Sequence, residues 1–463
     1  MSEVESMFLS SQLLRPAEQR LSGLPLPCSM LLPGGQRLGA AHPQLAFVVR
    51  DTRALLHLAQ GAIGRLAEDY VEGRLEIEGN MRDLMATAPA LFGNDPTRAP
   101  GGWLPRFLGR SQRSIWKRTH HSRAKDSAQI QRHYDVSDDF YALWLDPKRV
   151  YSCAYFAHPA MTLADAQEAK LDQICKKLRL HYGERFIDIG AGWGGLLLWA
   201  AEHYGVDATG ITLSRNQYEY VNRLIETRGL GGRVRMLLKD YRDIDESTLY
   251  DKVASVGMSE HVGRRNLARY FTKIYRVLKP GGLLLNHCIT AGGTERAPLD
   301  GGMGDFIEKY IFPGGQLVHV GAMLDAMTRA NLEPVDAECL RPHYALTLWH
   351  WADALESSLG EARRVLGPDA ERTIRAYRLY LAGSAMGFEQ GWTSLFQVLA
   401  ARPDGIVEPH EKPATGLSAT QSEYPFNRTY MCREDSPRLA AHKRAYELAD
   451  LGGEQHEPAN SAA

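Results

Sequence analysis

Between about residues 129 and 400 the chain alternates short apolar runs with stretches whose apolar positions recur every three or four residues. The short runs are ERFIDIGAG, GVDATGITLS, RVRMLLKD, DKVASVGMSE and GGLLLNHCIT. Nearly continuous apolar strands separated by helical segments predict a parallel sheet with crossover helices. The expected fold is therefore α/β, doubly wound, with a mostly parallel Rossmann-like sheet. Within VLKPGG (277–282), Pro280 is expected to break a helix and the glycines to turn the chain into a strand.

Residues 1–100 carry a different pattern and predict a smaller N-terminal α+β domain. SMLLPGGQRLGA reads as a hairpin around Pro33, Gly34 and Gly35, and TRALLHLAQGAIGRLAEDYVEG has helical apolar spacing. GNDPTRAPGG (93–102) is rich in breakers and marks a boundary. Residues 101–128 form a basic linker. Its core, 102–125, holds seven Lys/Arg and no acid, with Trp103, Phe107 and Trp116 interleaved. Such a segment suits an anionic membrane surface; a solvated linker helix whose aromatics pack on either domain is the other reading. The main α/β domain spans 129–400. Residues 401–463 are a C-terminal extension, loop-like at first and expected to be partly disordered by its end, GGEQHEPANSAA. No internal repeat is visible.

A chain of 463 residues exceeds what one core usually accommodates, which agrees with two domains and a tail. The net charge is −1, so no global field points to nucleic acid, and none is expected as a partner. No apolar run approaches the roughly eighteen residues of a membrane span. The N-terminus begins acidic and lacks the order of a secretory signal. Six scattered cysteines (28, 153, 175, 288, 339 and 432) show neither metal-ligand spacing nor a disulfide framework, so no metal is expected and a reducing cytoplasm fits.

Candidate chemistry begins at FIDIGAGWGG, a glycine-rich turn between an apolar strand and the helix LLLWAAEHY. Gly190, Gly192 and Gly195 satisfy GxGxxG, a turn that lets a ligand approach the backbone at a helix N-terminus. Nicotinamide cofactors, flavins and S-adenosylmethionine all use it. Asp188, two residues before the first glycine, favours the methyltransferase version. The region about 20 residues on reads TGITLS, without the acid a nicotinamide cofactor would need. Ser214 and Gln217 have capping-box spacing, compatible with a further role lining a cofactor pocket. Asp240, just after the third strand, is either an acceptor for an adenine amine or a simple loop acid. VASVGMSEHVG (253–263) ends an apolar run in Glu260 and His261. Either a charged loop caps the strand, or Glu260 faces a closed cavity and holds something there.

Together HYDVSDDFYALWLDP, YSCAYF, DIGAGWGG, GITLSRNQ, GMSEHVG, LNHCI and YIFPGG resemble the cyclopropane-fatty-acyl-phospholipid synthases and the mycolic acid cyclopropane synthases, a family of S-adenosylmethionine-dependent methyltransferases. The resemblance covers about 129–400 strongly; residues 1–100 are similar, less specifically, to the family's lipid-binding domain. It implies methyl transfer from S-adenosyl-L-methionine, the co-substrate, to a cis double bond within a phospholipid acyl chain. Proton loss to a bound bicarbonate then closes the ring. It implies a cage of Cys153, Glu260, His287, Ile289 (through backbone) and Tyr344, in which Glu260 accepts the bicarbonate proton and His287 and Tyr344 donate. For the cofactor it adds Tyr151 and Ser152 near the methionine part, Gly190 and Gly192 at the turn, Thr212 and Gln217 near the ribose, and Asp240 with Tyr241 near the adenine. A homodimer on the inner face of the membrane, meeting unsaturated phospholipid, is implied in the same way.

Physical chemistry fits that picture. An alkene is a weak nucleophile, so geometry and a dry site must do much of the work. Methyl transfer leaves cationic character on the chain, which aromatic faces stabilise and water would quench. The span Tyr134–Phe156 supplies Tyr134, Phe140, Tyr141, Trp144, Tyr151, Tyr155 and Phe156; most are expected in the core and two or three in the pocket. The insertion 294–315 is expected to form part of an acyl channel. Blander readings stand beside these: Cys153 as a small core residue, His287 as a satisfied core histidine, His261 as a loop cap. Ser259 occupies a position where the family carries a larger residue. Rival functions are a fatty-acyl methyltransferase leaving a methyl branch or methylene, a small-molecule methyltransferase, and a catalytically silent lipid-binding protein.

Overall fold

The computed structural model describes residues 18–19, 21–59, 62–92, 137–293, 303–403 and 428–431. The basic linker, Tyr134 and most of the C-terminal extension lie outside the described residues, as do positions 294–302 of the insertion.

The N-terminal region forms a four-stranded sheet in the order β2-β1-β3-β4, with β1 Cys28–Leu31, β2 Arg37–Gly39, β3 Leu45–Val49 and β4 Leu75–Glu78. β1 and β2 are the expected hairpin, pairing Leu31 with Arg37, and Gly35 takes the positive φ of 81° that the turn requires. The helical stretch that follows divides into α1 (Thr52–Ala59) and α2 (Ile63–Val71). After β4 comes α3 (Met81–Phe92). Asp69 on α2 is fully buried and held by His57 and Arg74, each at 2.6 Å.

The second sheet carries the site. It has seven strands: β5 Arg185–Ile189, β6 Asp207–Thr212, β7 Val234–Leu238, β8 Tyr250–Val256, β9 Leu278–Ala291, β10 Glu333–Cys339 and β11 Thr393–Ala401. The order is β10-β11-β9-β8-β5-β6-β7. Pairings from β9 through β8, β5 and β6 to β7 are parallel, and β11 runs antiparallel to both its neighbours. All five strands named from the pattern are present. β10 and β11 are additional: β10 carries EPVDAEC at the sheet edge, with no fully buried position. Pro280 does not end the preceding helix, which stops at Val277; it lies exposed inside β9. There the register with β8 slips between Tyr250 and Lys252, so the missing N–H of proline falls in an irregularity rather than in a regular ladder.

The helices around this sheet are α4 (Asp138–Ala142), α5 (Leu163–Lys177), α6 (Gly195–Tyr204), α7 (Arg215–Thr227), α8 (Ser259–Val262), α9 (Leu267–Val277), α10 (Met303–Tyr310), α11 (Val320–Arg329), α12 (Arg341–Ser357), α13 (Leu359–Leu366) and α14 (Ala370–Glu389). α14 packs against α2 and α3 and so joins the two sheets' regions. Arg378 on α14 donates to Tyr70 Oη at 2.8 Å and to both oxygens of Glu356, and Arg375 pairs with Glu76 at 2.6 Å. Among the described residues no helix is long and apolar enough to cross a membrane.

Candidate active site

The candidate residues gather where ligands bind in an open parallel sheet, at the carboxyl ends of the strands. Gly190–Gly194 follow β5, Thr212–Ser214 close β6, Asp240 and Tyr241 follow β7, Glu260 follows β8, and His287 and Ile289 lie near the end of β9.

After β5 the chain turns sharply: the N–H groups of Gly190 and Ala191 both donate to Ile211 O, at 3.1 and 3.0 Å. Gly190, Gly192 and Gly194 all have positive φ, at 83°, 55° and 81°. A Cβ at Gly190 would meet Met258 at 2.5 Å, whereas one at Gly192 would meet nothing within 4 Å among the described residues. The backbone at Gly192 therefore faces open space, as a turn approached by a ligand requires. Asp188 is 2% exposed, and its Oδ1 is buried with no hydrogen-bond partner among the described residues. Burial pushes its carboxyl up to about 7, against the pull of Lys170.

Ser214 caps α7 by accepting from Gln217 N at 3.3 Å, as its spacing predicts. The Gln217 side chain turns instead to Thr212, whose hydroxyl donates to Gln217 Oε1 at 2.8 Å. Asp240 is the more local acid: it caps a short turn and is forked to the Arg242 guanidinium at 2.8 and 2.5 Å. The Tyr241 ring packs edge-on against Tyr270.

The segment Tyr151–Phe156 is irregular, so its backbone needs partners from elsewhere. Gln167 on α5 donates to Val150 O and Ser152 O, at 3.2 and 2.8 Å. Lys170, 1% exposed, donates to Ser152 Oγ at 2.9 Å. From α12, Thr347 Oγ1 accepts from Ala154 N and His343 Nδ1 from Phe156 N, both at 3.0 Å. Sequence reasoning missed Gln167, Lys170, Thr347 and His343. Burial lowers the Lys170 ammonium to about 8, while Cys153, Asp146 and Asp188 favour its charge. Cys153 is fully buried with its thiol directed at Ala154 O, and burial pushes that thiol far up, so it is neutral. Leu340 O accepts from Tyr344 N and lies 3.9 Å from the Cys153 sulfur, so the start of α12 packs beside Cys153.

Aromatic rings fill the space beside this segment. Phe140, Tyr141 and Trp144 are buried among Tyr377 and Trp351 and serve as core. Tyr151 touches that cluster on one side and the Phe312 ring on the other, with its hydroxyl 3.3 Å from Tyr380 Oη. Tyr155 and Phe156 stack instead on His343 and His350. Tyr344 packs on Phe388 and Trp351.

Glu260 sits in the one-turn helix α8. Its Oε1 accepts from Ile289 N at 2.7 Å, and its Oε2 is buried with no hydrogen-bond partner among the described residues. The Ile289 N–H, predicted to serve an anion, is thus engaged by Glu260 itself. Burial raises the Glu260 carboxyl to about 7, with the Ile289 hydrogen bond pulling the other way. His287 is 1% exposed; its Nδ1 is 3.2 Å from Gln397 Nε2, and its Nε2 is buried without a hydrogen-bond partner among the described residues. Burial, with Lys170 and Lys177 nearby, holds this imidazole neutral. Phe312 of the insertion packs against His261, and Gln316, just past the insertion, donates its N–H to Glu260 O at 2.9 Å. Ser259 donates to Asn286 Oδ1 at 2.9 Å.

This sheet order, the open glycine turn and the unpartnered acid behind it define a Rossmann-like S-adenosylmethionine-dependent methyltransferase. The model of the mycolic acid cyclopropane synthetase family matches residues 121–398, and the chain belongs to that family. A Pseudomonas putida protein named "Probable fatty acid methyltransferase" is 40% identical over 389 residues, 83% of this chain and 94% of that one. The structure of the cyclopropane synthase MmaA2 from Mycobacterium tuberculosis is 34% identical, with a TM-score of 0.56 over 59% of this chain and 98% of its own. The mycolic acid cyclopropane synthase CmaA1 complexed with SAH and CTAB matches with a TM-score of 0.56 at 33% identity, over 59% of this chain and 98% of that one.

Proposed function

We propose that this protein converts cis double bonds in the acyl chains of unsaturated phospholipids to cyclopropane rings, using S-adenosylmethionine as methyl donor and bicarbonate as base. One observation carries the reading: among the described residues Glu260 Oε2 is a buried acceptor without a partner, and His287 Nε2 is a second buried polar atom without one, two residues from the Ile289 N–H that holds Glu260. Bicarbonate has one O–H to give and oxygens to receive, so a carboxylate oxygen and an imidazole N–H suit it together.

S-adenosylmethionine supplies an electrophilic methyl group. Gly192 leaves room for it, and Asp188, Thr212 and Gln217 offer polar atoms at the ends of β5 and β6. Bicarbonate supplies a base that hydrogen bonds can hold in place. Glu260 orients it as an acceptor, His287 and the Tyr344 phenol donate to it, and Cys153 closes the wall beside them. Tyr151 and Phe312 exclude water and present ring faces to developing positive charge. The N-terminal domain and basic linker would deliver the lipid from the inner face of the membrane, with the enzyme cytoplasmic and acting as a homodimer.

A second reading rests on the Pseudomonas putida relative, whose printed name is that of a fatty acid methyltransferase. On that reading the same methyl transfer ends in a methyl branch or a methylene group. Turnover in buffer stripped of carbon dioxide tests the base. Ring formation that rises with added bicarbonate supports it, and ring formation indifferent to bicarbonate excludes it.

A further inference from the structure

His287 belongs to a row that crosses the sheet. Glu338 on β10 pairs with Gln397 on β11, and Gln397 pairs with His287 on β9. Residues directly opposite in antiparallel strands share a face. Lys177, the last residue of α5, bonds to the row from above: its Nζ pairs with the Glu338 carboxylate and donates to Gln397 Oε1 at 2.6 Å. Lys177, Gln397 and His287 are 2%, 1% and 1% exposed.

The row fixes a tautomer. An ammonium donates and never accepts, so Gln397 must turn its oxygen to Lys177. Its Nε2 is then the donor to His287 Nδ1, at 3.2 Å. A neutral imidazole whose Nδ1 accepts carries its proton on Nε2. Among the described residues that atom is buried and has no hydrogen-bond partner.

We propose that Lys177 and Gln397 are positioning residues that lock His287 as an Nε2–H donor toward the anion beside Glu260 and keep it from accepting a proton during turnover. The role rests on the bicarbonate reading given above. The charged groups around His287 agree with it. Lys170 and Lys177 on α5 both disfavour an imidazolium. From β11 comes only the neutral Gln397, and Glu338 on β10 is tied to Lys177. Glu260 on α8 is held at Ile289. An amide has no proton to relay, so Gln397 also separates the imidazole from the half-exposed Glu338.

The test uses the full chain labelled with 15N-histidine, with His287→Asn to assign the signal. Long-range proton–nitrogen correlation should find His287 protonated at Nε2 and bare at Nδ1, unchanged from about pH 6 to about pH 9. In Gln397→Glu, a carboxylate oxygen faces Nδ1 and the proton should move there. The KM for free bicarbonate should then rise roughly 10- to 100-fold at about pH 9, as for a lost hydrogen bond to a charged group. It should recover toward about pH 6, where an imidazolium again donates from Nε2, while S-adenosylmethionine affinity stays constant. A wild-type His287 protonated at Nδ1, or titrating within that range, overturns the proposal whether or not Gln397→Glu folds. A pH-independent loss in Gln397→Glu also overturns it. If the tautomer is as assigned but wild-type turnover ignores bicarbonate, the anion reading has failed, and with it the role though not the lock.

Discussion

Glu260 Oε1 accepts the Ile289 N–H at 2.7 Å, which leaves Oε2 as a buried acceptor. This contact joins the end of β8 to β9 and answers why an apolar strand should end in a carboxylate. A capping acid would turn both oxygens to backbone or solvent. Here one oxygen is used to fix the side chain and the other is kept in reserve.

Glu260→Gln preserves the Ile289 contact through its carbonyl and replaces the reserved acceptor with a donor. Turnover should fall by about 100-fold or more, the usual weight of a positioned acid–base group. S-adenosylmethionine affinity, measured by calorimetry, should stay within about twofold, because the variant touches nothing at the glycine turn. Wild-type turnover in the variant would remove Glu260 from the chemistry.

The same variant should change how stability depends on pH. Burial holds the proton on Glu260 to about 7 in the folded chain, against the ordinary glutamate value of 4.5. Between those values the folded state binds more protons than the unfolded state, so wild-type stability falls as pH rises through the window. Glutamine does not titrate. Glu260→Gln should therefore gain on wild type between about pH 4.5 and about pH 7, by about 3 kcal/mol at most, and hold that gain above it. Urea unfolding at about pH 5 and about pH 8 measures the difference.

Gly192→Ala separates binding from folding. Its Cβ would enter open space, so the fold should survive with a strain of about 1–2 kcal/mol from the left-handed φ. S-adenosylmethionine affinity should drop at least about tenfold, because the methyl group occupies the ligand's side of the turn. Gly190→Ala, which would strike Met258, should lose stability as well. Paired calorimetry and thermal melts distinguish the two.

Thiol chemistry should ignore Cys153. The thiolate is the reactive form, and burial keeps this thiol protonated. Of the described cysteines, Cys28, Cys153, Cys175 and Cys288 are buried and Cys339 is exposed. Iodoacetamide on the native chain, followed by peptide mass spectrometry, should mark Cys339 first among these five. Rapid labelling of Cys153 would mean that its surroundings open to solvent.

Much of the architecture was legible because it depends on local pattern. β5 through β9 are nearly continuous apolar runs, and Asp188, the glycine turn and Glu260 stand where those runs end. β10 was illegible because an edge strand with no fully buried residue carries no apolar signature. Gln167, Lys170 and Lys177 were illegible for a related reason. On α5 they have the spacing of an ordinary solvated face, and only the packing of Ser152, Gln397 and Glu338 beneath them makes that face interior. At Asp240 the position after β7 was legible, while the fork from Arg242 two residues on was not.

The most direct measurement is product analysis. Purified protein is incubated with S-adenosylmethionine, bicarbonate and vesicles of cis-unsaturated phospholipid, and the acyl chains are examined by mass spectrometry and proton NMR. The account predicts a gain of one CH2 with high-field cyclopropane protons. The same mass gain with a methyl doublet or a vinylidene signal would contradict ring closure and assign the chain to acyl methylation, and no mass gain on bound lipid would contradict the phospholipid substrate.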